Sequence, residues 1–193
     1  MKYLKFIIIS VIAVSSLSSC RKGPEDPLLS FTTRKNRISK TWQAYEYRIN
    51  GLSIFDINKS ENFAVADCGT QTLNTHVKRN VIMSFEKSGS YSDSYTTITE
   101  NKSTVSGSGA ACDIYRFEKK ETNEEAHVGI WNFSGGVGNT SSREQVFIYQ
   151  EETQTGYLWD IVRLAGDELK LKRKYIKPGE SVFTTEEIFF YPR

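Results

Sequence analysis

The sequence predicts an all-β domain, built as an antiparallel, up-and-down β-barrel of about eight to ten strands. Three observations predict it. After about residue 37, apolar and polar residues alternate with a period close to two almost everywhere. Those stretches are rich in Tyr, Phe, Val, Ile and Thr, and Gly-bearing turns separate them. No segment sustains a helical apolar period long enough to argue for a packed helix. Successive hairpins in one up-and-down order close into a barrel and so remove exposed sheet edges. An open sandwich is the alternative arrangement.

The chain opens with a leader. Residues 1–5, MKYLK, carry two lysines and no acid, and residues 6–14, FIIISVIAV, are apolar apart from Ser10. Small residues follow. This is the layout of a secretory signal peptide, here spanning 1–19. The apolar run falls short of the roughly 20 residues a membrane-spanning helix needs. Leu17-Ser18-Ser19-Cys20 resembles the bacterial lipobox. That resemblance implies cleavage before Cys20, a diacylglyceryl thioether on its sulfur and an acylated amino group. Cys20 is thus the expected lipid attachment point, a role that suits the most nucleophilic side chain. Two or more acyl chains anchor a protein stably where one does not. The expected location is the cell envelope, as an outer membrane lipoprotein facing the periplasm or the surface.

Removing residues 1–19 from 193 leaves 174, and 23 basic residues then face 23 acidic ones. A formally neutral chain lacks the basic footprint of nucleic-acid binding. Residues 20–36 hold two prolines, a glycine and mixed charges, with no period, and read as a lipid-anchored tether. The domain itself is expected over 37–193, large enough for one real core.

Its strands follow in order. TWQAYEYRIN (41–50) alternates. Residues 57–80 are unclear, a strand or a short helix. VIMSFEKSGSYSDSYTTI (81–98) reads as two strands around a Lys-Ser-Gly turn, with Val81, Met83 and Phe85 on one face. CDIYRFEKK (112–120) and AHVGIWNF (126–133) flank a charged turn, ETNEE. EQVFIYQ (144–150), GYLWDIVRL (156–164), ELKLKRKYI (168–176) and SVFTTEEIFFY (181–191) complete the set.

Several landmarks line up along this order: Trp42 in ISKTW, Phe85, Gly89 and Tyr91 in FEKSGSY, Gly129 and Trp131 in GIWNF, and the closing LWDIVRLAGDELKLKRK. This order resembles the lipocalin-like lipoprotein family of the Bacteroidetes, with Lys40 standing where the Gly of Gly-x-Trp is usual. The resemblance implies a lipocalin-like barrel on an envelope lipoprotein, with Trp42 plugging one end.

Cys68 and Cys112 form an even pair in an exported chain, which reads as a disulfide. His76 and His127 lack the short spacings of zinc ligands, so no metal is expected, and no cofactor. No Gly-x-Ser-x-Gly elbow, P-loop or dinucleotide fingerprint occurs. Asp160, Glu168, Glu186 and Glu187 lie on or near strands, where a two-carboxylate glycosidase is conceivable, but alternating strands more often turn such groups to solvent. Lys170, Lys172 and Lys174 share one strand face, a solvated surface that discourages edge pairing. The aromatic residues supply a pocket lining, for which Trp42, Trp131, Tyr149, Tyr157 and Trp159 are the candidates.

The expected function is non-catalytic binding of a small hydrophobic or glycan ligand in the barrel. The alternative is a structural or interaction lipoprotein whose filled barrel docks onto another envelope protein. The expected partners are the membrane, through the N-terminal lipid, and that ligand or protein.

Overall fold

A computed structural model describes residues 32–135 and 144–193. The signal peptide, Cys20 and the tether up to residue 31 lie outside the described residues. The described residues form ten strands: β1 (Thr41–Ile49), β2 (Leu52–Ser53), β3 (Asp56–Val65), β4 (Gly69–Phe85), β5 (Ser90–Val105), β6 (Phe117–Ser134), β7 (Gln145–Gln150), β8 (Thr155–Leu164), β9 (Leu169–Ile176) and β10 (Phe183–Pro192). Two short helices accompany them, α1 (Arg34–Ile38) and α2 (Ala110–Asp113).

The strands form one antiparallel sheet in the order β2-β1-β10-β9-β8-β7-β6-β5-β4-β3. A β1–β4 pairing, Thr41 with Ser84, Trp42 with Met83 and Gln43 with Ile82, closes eight of them into a barrel. The fold is therefore the closed antiparallel up-and-down barrel the alternation predicts, with β2 and β3 as additions.

Register decides what faces inward. Trp42 and Ala44 point into the barrel, and a bulge between Ala44 and Glu46 then changes the parity of β1. Tyr45 faces out as alternation requires, but Glu46 is turned out by the bulge and Tyr47 is brought in toward the core cluster. One end of the barrel is a packed base of Trp42, Phe85, Val146, Leu164, Leu169, Phe190 and their neighbours, all buried. Helix α1, N-capped by the Thr33 side chain, covers that end. Ile38 is fully buried, its carbonyl accepts the Trp42 indole N–H at 2.8 Å, and Arg37 Nη1 donates to the Leu164 carbonyl at 2.5 Å. Lys40 lies over the Trp42 ring at 5.2 Å and donates to the Gly166 carbonyl. The helix begins at Arg34, inside the stretch read as tether, because five residues are too few to display a helical period.

At the other end the barrel is lopsided. Strands β4, β5 and β6 run on past their neighbours, and β3 joins them to make a four-stranded wall. Residues 57–80 are thus two paired strands. The sequence expectation of a turn at ETNEE is overturned. Residues 121–125 lie in the middle of β6, paired to β5 from Ser90–Ile130 through Ser103–Phe117. Both faces of the wall are solvated, so no apolar alternation marks these residues as strand. β7 pairs with β6 only from Gly129 onward, leaving the charged stretch before it on an open edge. Gly129 itself sits where β7 first arrives. A Cβ there would fall 1.8 Å from the Tyr149 carbonyl oxygen.

The far tip of the wall is closed by the Cys68–Cys112 disulfide, as expected for the pair of cysteines other than Cys20. Its partners are 44 residues apart, and closing such a loop stabilises by roughly 4 kcal/mol in the chain-entropy view. The base has its own test. Trp42→Ala removes the largest fully buried side chain and the bond to Ile38, so unfolding free energy should fall by about 3–5 kcal/mol in denaturant titration. A loss below about 1 kcal/mol, as for an ordinary surface change, would show that the base does not depend on it.

Candidate functional site

Above the packed base the barrel interior opens into a cavity of about 390 Å³. This is within the range of small-molecule sites, roughly 300–1,000 Å³. Met83 and Ile148 contribute its apolar lining, and the rest is aromatic or polar: Tyr47, Tyr91, Asp93, Tyr95, Glu125, His127, Gln150, Thr153, Tyr157, Trp159, Arg173 and Glu186. Alternation places these groups. Asp93 shares the inward parity of Tyr91 and Tyr95 on β5, Arg173 that of Leu169 and Leu171 on β9, and Glu186 that of Ile188 and Phe190 on β10.

Two polar networks organise the cavity. In the first, the buried Asp93 carboxylate collects three bonds. Tyr91 donates its hydroxyl and Gln150 its amide to Oδ2, each at 2.8 Å, and His127 Nδ1 meets Oδ1 at 2.7 Å. Thr153 in turn donates to Gln150 Oε1 at 3.3 Å. In the second, Arg173 Nε donates to Glu186 Oε2 at 2.5 Å, and the Tyr47 hydroxyl donates to Glu186 Oε1. The Arg173 guanidinium lies over three rings, at 4.4 Å from Trp159, 4.7 Å from Tyr157 and 4.8 Å from Tyr175. These bonds satisfy groups that would otherwise be costly to bury.

Burial also sets the tyrosines. It pushes the Tyr91 and Tyr95 phenols well above their ordinary range, with nearby Tyr95 or Asp93 adding to it. Tyr47 is raised by burial and by Glu186. Outside the barrel Tyr45, bonded to Glu168 at 3.0 Å, is raised to about 12, by burial first and then by that carboxylate. The Tyr47, Tyr91 and Tyr95 phenols therefore stay protonated and act as hydrogen-bond groups.

Of the residues singled out from the sequence, Tyr157 and Trp159 line the cavity. Trp42 and Trp131 belong to the packed interior. Trp131 sits edge-on to Phe85 at 5.5 Å and to Phe133 at 5.3 Å, and donates to the Glu86 carbonyl. Tyr149 occupies the alternate face of β7, outside the barrel. Among the four carboxylates, Glu186 faces inward rather than to solvent. Glu187 is outside, held below its usual range by the Lys172 ammonium at 2.9 Å, Asp160 accepts from Gln145, and Glu168 pairs with Arg163. His127 is in the cavity, whereas His76 is on the wall with Asp56 at 2.8 Å, and both thiols are used in the disulfide. Asp93, Gln150, Arg173, Tyr47, Tyr91 and Tyr95 escaped the sequence reading. The available signal was a polar residue on the core parity of a strand.

Two outcomes test this electrostatics. Arg173→Leu leaves Glu186 buried without its cation and should cost about 3–5 kcal/mol, with much of that recovered in Arg173→Leu/Glu186→Gln. Equal stability of the single and double variants would refute the pairing. Phenol pKa values raised by folding contribute stability that is complete below the unfolded value near 10 and is lost as pH rises through the folded values. Alkaline titration at the tyrosinate band should therefore find Tyr45, Tyr47, Tyr91 and Tyr95 protonated at about pH 10, with stability falling above it. Comparison of the chain with family models, with curated proteins and with solved structures finds no match.

Proposed function

We propose that this protein is a lipid-anchored envelope protein that binds a small ligand non-catalytically in its barrel. The observation that carries the reading is the cavity itself. Its lower half is packed solid, and its upper half keeps open space beside convergent polar groups and aromatic faces. A protein whose barrel served only as a scaffold would gain from filling that space. The polar lining supports the glycan side of the expectation over the purely hydrophobic one. Sugar hydroxyls pair with carboxylates and amides, and sugar rings stack on Tyr and Trp. The anchoring part rests on the signal peptide and Cys20 in the sequence.

The docking alternative has one observation in its favour. Leu52 near the barrel mouth and Val182 and Phe183 at the start of β10 are 74 %, 70 % and 63 % exposed. Such apolar exposure suits a protein partner.

Native mass spectrometry of the full-length protein, purified in mild detergent from its own envelope, separates the two. A co-purifying small molecule that is lost in the mouth-narrowing variant Thr153→Trp is the expected result. An empty barrel that retains a protein partner instead would overturn the ligand reading. Chemical turnover of the bound molecule would overturn its non-catalytic part.

A further inference from the structure

The cavity is short of cations. Three carboxylates, Asp93, Glu125 and Glu186, line it against one guanidinium, that of Arg173, which is already paired with Glu186. The Asp93 network fixes what the neighbouring imidazole offers. Tyr91 and Gln150 both donate to Asp93, and a carboxylate accepting such bonds also accepts from the Nδ1–H of His127. When the ring is neutral, that tautomer leaves Nε2 as an acceptor. Beside it, Tyr95 meets the His127 ring edge-on at 6.4 Å. Tyr95 is partly buried and lines the cavity, and among the described residues its hydroxyl has no hydrogen-bond partner. Glu125 is exposed on β6, with Oε1 taking only a 3.3 Å bond from Asn123. The groups left for a ligand are thus a carboxylate, an imidazole nitrogen and a phenol oxygen, all able to accept, with aromatic faces close by.

We propose that the ligand carries a protonated amine, received by Glu125, His127 and Tyr95. An ammonium brings three N–H donors and no acceptor, the complement of this set. Its charge answers the surplus of carboxylates, and charge-assisted bonds are roughly twice as strong as neutral ones. The aromatic lining adds cation–π attraction. A neutral sugar gains none of the charge terms, and an anionic ligand meets repulsion. The inference rests on the binding reading above and narrows it. An amino sugar and a simple arylalkyl amine both present this chemistry.

Calorimetric titration of the full-length protein with four probes tests it: glucosamine, N-acetylglucosamine, tyramine and N-acetyltyramine. Acetylation removes the charge and keeps the skeleton. Either amine should bind at least about tenfold more tightly than its acetylated counterpart, as one charge-assisted contact allows. The pair that shows the larger difference identifies the source. Glu125→Gln should weaken the amine by up to about fivefold and leave the acetylated probe unchanged. Glu125 is exposed, so that variant keeps the fold, and Tyr95→Phe, which keeps the ring, should also weaken the amine. Equal binding of an amine and its acetyl form would overturn the amine while leaving the pocket reading intact. No heat from any of the four probes would overturn the amine too, and the co-purified mass would then decide the pocket reading separately.

Discussion

Three residue pairs shut the barrel, and the cavity, base and mouth all depend on that seam. Without the pairing of Thr41–Gln43 to Ile82–Ser84, the strands form a ten-stranded open sheet with β1 and β4 unjoined. Side chains reinforce so short a closure. Thr41 and Ser84 share a hydroxyl–hydroxyl bond at 3.1 Å, and Gln43 donates to Asn80 at 3.2 Å. Just above, β1 and β4 diverge, and residues 54–55 cross the gap. Ile54 N–H donates to the Tyr47 carbonyl, and the Phe55 carbonyl accepts from Arg79 N–H. Trp42 sits in the middle of the seam, so the residue that fills the base also belongs to the closing register.

From that seam the interior changes character along the strand direction. Close to it the inward positions are mostly Trp, Phe, Leu and Val, with the Trp42 and Trp131 indoles each bonded to a carbonyl and the Tyr91 hydroxyl donating to Asp93. Two residues beyond the last apolar inward position, the same parity carries Asp93, Gln150, Arg173 and Glu186. The inward face thus has a solid floor and a hydrogen-bonded upper layer. The floor supplies stability through apolar burial. The upper layer is held in place by mutual pairing, which leaves its remaining lone pairs and ring faces available to a guest.

Much of this was legible in the sequence. Where a strand has one buried face, as in Val81-Ile82-Met83-Ser84-Phe85, alternation locates it, and the fold class follows. The wall was not legible, because neither face of residues 117–126 is covered and the pattern has nothing to record. The cavity was half legible. Tyr157 and Trp159 announce an aromatic lining, but aromatics alone do not distinguish pocket from floor, and Trp42 and Trp131 fell on the floor side. The polar half depends on register between strands far apart in sequence. Arg173 meets Glu186 across a hairpin, whereas Asp93 meets Gln150 across 57 residues. Local periodicity carries no trace of such a meeting. The single outward clue, a charged residue on an otherwise apolar parity, is visible at Asp93, Arg173 and Glu186 once the inward face is known.

Both ends of the described chain leave from the floor. Helix α1 covers it, and the Arg193 backbone N–H returns to the Thr41 carbonyl beside Trp42. Among the described residues, neither end reaches the opposite rim. A tension applied through either end of the described chain is borne first by the packed floor and the closing register, and reaches the upper layer last.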